Sequence, residues 1–369
     1  MTTPTYHFAV IGLGQRGRYH LNSIEAMPEV RAQCVAVADP RDPTAEETAR
    51  YGNAFYKDYR QLLDQEQDLD FVIVASLAAD HKAHALAALK QGIPVFLEKP
   101  VGMNWEEAVE LYQRVTAQNY PLFIGYNLRR FPAALAMKQI LDEGRLGRIQ
   151  GLLAHVNTGN RWSESVLARY TSPPTSALII GKLTHDTDTI HHCLQAEPID
   201  CCATITCNVY QRGPTSAMRD GDTCCISGLL TNGALYTIHL TTAGPDYERR
   251  YVVNGTEGQM DVILHTSRPG PRGFPPRASL SLWRVGEEPH SVDLPPATGG
   301  HGGADFRIHR DFMQWLGSQP DGPDDARSIL TGMVIPTAAL DSMRTGRRID
   351  CGERLRQAVT NGVAQLADA

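Results

Sequence analysis

Apolar residues along the first 125 positions come in short unbroken runs, at 8–11, 34–38, 71–75, 95–97 and 122–124. Between them, at 18–27, 44–51, 58–65, 80–91 and 105–118, the apolar spacing is that of a helix. Punctuation agrees with this division. Gly52 and Gly92 stand where helices should stop, and Asn104 with Glu107 offers a capping box for the helix that starts at Trp105. Brief, continuously apolar strands alternating with helices predict a parallel sheet covered on both faces, a doubly wound α/β domain over residues 1–125.

The rhythm changes after Tyr126. A helix is expected over 133–143, a strand over 149–156 and a helix over 185–194. Strand-like stretches then follow one another at 203–209, 223–230, 234–242, 251–254 and 259–264. Strand upon strand with few helices predicts a large, mostly antiparallel open sheet, so residues 126–369 read as an α+β second domain. The Pro- and Gly-rich stretch 267–304 predicts long loops around one short strand at 279–285, and helices return at 306–316, 324–344 and 354–367.

Composition narrows the classes. A net charge of −6 gives no basic field for nucleic acid or an anionic membrane. No apolar run approaches the ~20 residues of a membrane span. The first strand follows Met1 so closely that no signal peptide is expected, which places the chain in the cytoplasm. The eight cysteines include two doublets, Cys201-Cys202 and Cys224-Cys225, and no C-x-x-C, so they are expected to be reduced and mostly buried.

Two regions, one in each half of the chain, carry chemistry. Gly12-Leu-Gly14-Gln15-Arg16-Gly17 follows the first strand and opens the first helix, the context in which such a turn brings backbone amides to a pyrophosphate. Asp39 ends the second strand, where an acid bonds the adenosine ribose and repels a 2′-phosphate; this favours NAD, with NADP kept open by Arg41. Glu98-Lys99-Pro100 ends the fifth strand, where a lysine can stabilise alkoxide charge on a substrate; the plainer reading is an exposed Glu98–Lys99 ion pair.

The second region is His185-Asp-Thr-Asp188-Thr-Ile-His191-His192. At ~100° per residue, His185, Asp188 and His192 share one helix face, so geometry selects His192 over His191 as a base. His191 and Asp186 read as structural or solvated. The same face has the residue types of a metal site for a hydrolase, but that reading leaves the glycine turn unexplained, and no metal is expected.

These residues together resemble the glucose–fructose oxidoreductase, inositol dehydrogenase and rhizopine-catabolism (Gfo/Idh/MocA) oxidoreductases. The resemblance is carried by the glycine turn, Asp39, the stretch 76–92 with His81, Glu98-Lys99-Pro100, and Gly125-Tyr-Asn-Leu-Arg-Arg130-Phe-Pro132. Asn232-Gly233-Ala, Gly255-Thr-Glu-Gly258 and Thr345-Gly346-Arg-Arg348 extend it over nearly the whole chain. One departure is Ser76-Leu77-Ala78, where the family usually has Thr-Pro-Asn. The resemblance implies a cofactor site of Gly12, Gly14, Gln15, Arg16, Gly17, Asp39, Ser76, His81, Glu98 and Lys99, and catalysis by Lys99, Asp188 and His192. In that scheme Asp188 bonds His192 or a neighbouring hydroxyl. It implies a polyhydroxylated sugar or cyclitol as substrate; Lys182 and His185 lie on the side that would touch it, Arg161-Trp162 after the 149–156 strand offers a fork and a stacking face, and the open second sheet favours a homo-oligomer, dimer or tetramer. A redox-neutral enzyme with tightly held NAD and a non-catalytic regulator stay open as alternatives.

Overall fold

The computed structural model describes residues 5–159, 178–207, 209, 221–244, 246–266, 278–295, 300–320 and 322–366. The chain forms two compact units, and neither is a single stretch: the first comprises 1–126, 306–330 and 358–369, the second 127–305 and 331–357.

In the first unit, strand and helix alternate as β1 (Thr5–Ile11), α1 (Gln15–Glu25), β2 (Arg31–Ala38), α2 (Ala45–Tyr51), β3 (Phe55–Tyr56), α3 (Tyr59–Gln65), β4 (Phe71–Val74), α4 (His81–Leu89), β5 (Val95–Leu97), α5 (Trp105–Ala117) and β6 (Leu122–Ile124). The six strands pair in the order β3-β2-β1-β4-β5-β6, all parallel. Strand order reverses between β1 and β4, which in such sheets opens a crevice at the carboxyl edge. All four residues of β4 and all three of β5 and β6 are buried, as both-face coverage demands. The two-residue β3 has no counterpart in the expected pattern, being too short to carry a period. The expected capping box on α5 is displaced. Asn104 does accept from the Glu107 backbone N–H at 2.8 Å, but the Glu107 carboxylate takes the Met103 N–H at 2.6 Å.

The second unit holds α6 (Pro132–Asp142), β7 (Ile149–Thr158), α7 (Leu178–Leu194), β8 (Asp200–Thr206), β9 (Thr223–Leu229), β10 (Leu235–Thr241), β11 (Tyr247–Gly255), β12 (Gly258–Thr266), β13 (Ser279–Arg284), β14 (His290–Ser291) and β15 (Ile349–Asp350). Nine strands run β14-β13-β12-β11-β7-β10-β9-β8-β15, antiparallel except for β7 with β10. Burial alternates along β10: Tyr236, Ile238 and Leu240 are buried, while Leu235 is 62% exposed. The cysteine doublets obey the same period, with Cys201 and Cys224 buried, Cys202 and Cys225 exposed, and none of the eight cysteines joined in a disulfide.

Three helices close the chain, α8 (Ala304–Gly317), α9 (Ala326–Thr345) and α10 (Cys351–Leu366). From α8, Ile308, Phe312, Met313 and Leu316 complete the core of the first unit. The Phe312 ring meets Phe71, Phe96 and Phe123 at centroid distances of 5.0, 5.3 and 5.4 Å, the edge-to-face range aromatic rings prefer.

Candidate functional site

The glycine turn after β1 shows why two of its three glycines are there. Gly12 has φ +93°, and a Cβ on it would lie 2.4 Å from the Ser76 Cα. A Cβ on Gly17 would lie 2.0 Å from the Gly12 carbonyl oxygen, so only glycine lets α1 approach its own turn. Gly14 meets nothing within 4 Å. No side chain caps α1 there, which leaves its N-terminal amides open to the pyrophosphate a bound dinucleotide would bring. Gln15, the first residue of α1, is exposed beside it.

Asp39 leans over the same turn. Its Oδ2 accepts from the Leu13 N–H at 2.8 Å and its Oδ1 from the Arg41 N–H at 3.1 Å. A carboxylate has about four acceptor positions, so two are left for a pair of ribose hydroxyls. The glycines and Asp39 therefore fit a dinucleotide.

At the end of β5 the structure departs from the plainer reading of Glu98 and Lys99. Glu98 is 4% exposed, and it does not form an exposed pair. Its Oε1 accepts from Arg16 Nε at 2.8 Å and lies 2.7 Å from His20 Nε2, while Oε2 accepts from the Lys99 backbone N–H at 3.0 Å. Burial works against ionisation, yet the charge of Arg16, the bond to His20 and the charge of Lys99 hold this carboxyl well below the usual carboxylate range. Arg16 thereby links the glycine turn to the residue that precedes Lys99. His20 Nδ1 in turn lies 2.7 Å from His309 Nε2, both rings being buried. Lys99 follows, half-buried, joined to Pro100 by a cis peptide bond.

Ser76 and His81 are brought together in the turn after β4. His81 is buried between the turns after β4 and β5, with Nδ1 2.7 Å from the Pro100 carbonyl and Nε2 3.0 Å from the Ser76 carbonyl, of which a neutral ring donates to one. Ser76 Oγ lies 2.9 Å from His84 Nδ1.

In the second unit, α7 begins at Leu178, earlier than the expected 185, and carries Lys182, His185, Asp188 and His192. Asp188 is 0% exposed, while Lys182, His185 and His192 are half-buried. The Asp188 carboxylate receives the fork of Arg129: Nε donates to Oδ2 at 2.6 Å and Nη2 to Oδ1. Arg129 is 8% exposed and sits in a short 3-10 turn, Asn127–Arg130. No periodicity pointed to it, because it lies outside α7 and far along the chain. The carboxylate that the sequence assigns to His192 or a neighbouring hydroxyl thus also takes the fork of an arginine the sequence did not name.

Asp186 is equally buried and belongs to the framework, with Arg249 Nε at 3.0 Å and the Tyr251 hydroxyl donating at 2.7 Å. His191 Nδ1 lies 3.1 Å from the Ala196 carbonyl, just past the helix end. Arg161 and Trp162 lie outside the described residues. Among the described residues no three His, Cys, Asp or Glu side chains come together to hold a metal ion.

Comparison with known proteins adds the following. Residues 6–126 match the model of an oxidoreductase family with an NAD-binding Rossmann fold, and residues 134–261 match the GFO/IDH/MocA C-terminal domain. Inositol 2-dehydrogenase 2 of Saccharopolyspora erythraea is 29% identical over 286 residues, 74% of this chain and 80% of that protein. Levoglucosan dehydrogenase of Pseudarthrobacter phenanthrenivorans is 31% identical over 150 residues, 38% of each chain. Among solved structures, a levoglucosan dehydrogenase in complex with NADH and levoglucosan superimposes with a TM-score of 0.76 at 21% identity, covering 94% of this chain and 99% of its own. A scyllo-inositol dehydrogenase from Lactobacillus casei with NAD(H) and scyllo-inositol gives 0.74 at 18% identity, covering 95% and 100%. These last two speak for the fold.

Proposed function

Because the chain belongs to the Gfo/Idh/MocA family of oxidoreductases, we propose that Lys99 and His192 serve one reaction, the oxidation of a secondary hydroxyl on a cyclitol or sugar. The observation that carries this reading is the linkage of Lys99 to the glycine turn through Glu98 and Arg16, which ties a substrate-polarising lysine to the cofactor's phosphate site. The relatives named above act on inositols and levoglucosan, and a ring bearing vicinal hydroxyls is the substrate class we infer.

Bound NAD supplies the acceptor for the hydride that leaves the carbinol carbon. The chain's own residues do the rest. His192, as neutral imidazole, takes the hydroxyl proton. Lys99 donates a hydrogen bond to the same oxygen and stabilises the negative charge that grows there. Asp188, held by Arg129, fixes the helix face from which Lys182, His185 and His192 project. A second copy of the chain is the expected partner, and the cytoplasm, whose thiols stay reduced, suits cysteines that form no disulfide.

The test is an assay of purified protein with NAD against a panel of inositols and anhydrosugars. His192→Ala should lower turnover by ~10²–10⁴-fold, and Lys99→Ala by ~10²-fold or more with little change in cofactor affinity. His191→Ala should retain most activity. Turnover should rise with pH through an apparent pKa near neutrality, and that dependence should vanish in the His192 variant. An essential His191 beside a dispensable His192 would remove the assignment of the base.

A further inference from the structure

Arg41, two residues past Asp39, is the kind of cation that receives a 2′-phosphate in NADP-dependent proteins. Its guanidinium is already held. Nη1 donates to Glu47 Oε2 at 2.7 Å and to the Asp42 carbonyl at 2.8 Å, and Nη2 donates to Glu47 Oε1 at 2.6 Å. Arg18, from α1, donates to the same Oε1 at 2.9 Å.

Glu47 is itself fixed by a full capping box at the start of α2. Thr44 Oγ1 accepts from the Glu47 N–H at 3.2 Å, and the Thr44 N–H donates to Glu47 Oε2 at 2.8 Å. Four donors thus fill the roughly four acceptor positions of one carboxylate that is 8% exposed. The bond to Arg41 outweighs the cost of burial and holds the Glu47 carboxyl far below the ordinary glutamate range.

We propose that Glu47 determines cofactor specificity by sequestering Arg41, so that the site beside Asp39 accepts an unphosphorylated ribose and refuses a 2′-phosphate. Charge arithmetic supports the mechanism. Asp39 and Glu47 against Arg18 and Arg41 sum to zero, so neutralising Glu47 leaves one net positive charge and a guanidinium fork able to turn toward phosphate. Asp39 alone repels the phosphate; Glu47 also withdraws what might have compensated for it. The proposal rests on the NAD site described above.

Glutamine at the third helical position still completes a capping box, so Glu47→Gln separates the charge clamp from the helix cap. Dissociation constants of NADH and NADPH would be measured by nicotinamide fluorescence at low salt for the full chain, Glu47→Gln, Arg41→Ala and the double variant. Glu47→Gln should shift the NADPH-to-NADH affinity ratio toward NADPH by about tenfold, the size of one charge-assisted hydrogen bond. Arg41→Ala should barely move the ratio in the wild type and should abolish the gain in the double variant. An unchanged ratio in Glu47→Gln, or a gain that survives without Arg41, overturns the proposal. A wild type that binds neither dinucleotide overturns the NAD site itself, and the proposal with it.

Discussion

Asp186 and Asp188 lie on one helix, both fully buried, and each is matched to an arginine from elsewhere in the second unit. Two carboxylates removed from water in so short a span are tolerable only when each is forked or doubly bonded. Removing one partner therefore costs far more than the pair contributes. Arg129→Met should lower unfolding free energy by about 3–5 kcal/mol, because Asp188 is left as a buried charge without its fork, and adding Asp188→Asn should recover much of that loss. Urea denaturation measures both, and a loss under about 1 kcal/mol would mean that water or another side chain takes the place of Arg129. The same pair marks the limit of sequence reading at this scale. Helical phase was enough to bring Lys182, His185, Asp188 and His192 to one helix and to turn Asp186 and His191 away from their face. It was silent on Arg129, since a buried acid announces that a partner exists but not which residue it is.

Elements long enough to show a period were legible, and short ones were not. The glycine turn, the five longer strands of the first unit and their helices followed from spacing, whereas β3 and β15, of two residues each, carry no period at all. The Asn104 cap was readable as chemistry, but its glutamate reaches the neighbouring Met103 amide, a choice made by the local turn. What ties β4 to β5 was also hidden: His81 spans the turns after both strands from within a helix that looked ordinary. That brace carries a pH dependence. Burial holds His81 and His84 below the ordinary histidine value of 6.5, so near that pH the unfolded chain binds protons the folded one refuses. Stability should therefore fall as pH drops through about 6.5. Glu47 and Glu98 have depressed values, so their contribution is present above the ordinary 4.5 and disappears below it. Denaturation series should show both stages, with the first reduced in His81→Gln. A flat profile from pH 7.5 to 5 would refute the brace as a titrating element.

At the scale of the molecule, the nine-stranded sheet has one face that remains open to water. Trp283, Gln259, Asn254, Gly151 and Leu235 form one cross-strand row on it, and Leu153 stands two residues along β7 on the same side. Trp283, Leu153 and Leu235 are 44%, 47% and 62% exposed, an apolar surface that association would cover. Light scattering should give the mass of a dimer or tetramer, and the double change Leu153→Lys with Leu235→Lys should shift it to the monomer. An assembly unaffected by both lysines would have to use another face. The first unit poses a different question, one of timing. Its aromatic wall of Phe71, Phe96 and Phe123 is sealed by Phe312, which the ribosome delivers only after eight of the nine strands of the second sheet have been made. The nascent dinucleotide-binding half must therefore wait with its greasy side unfinished. A gene fragment cut after residue 126 would carry every cofactor-binding residue proposed here and still lack the helix that keeps those residues dissolved.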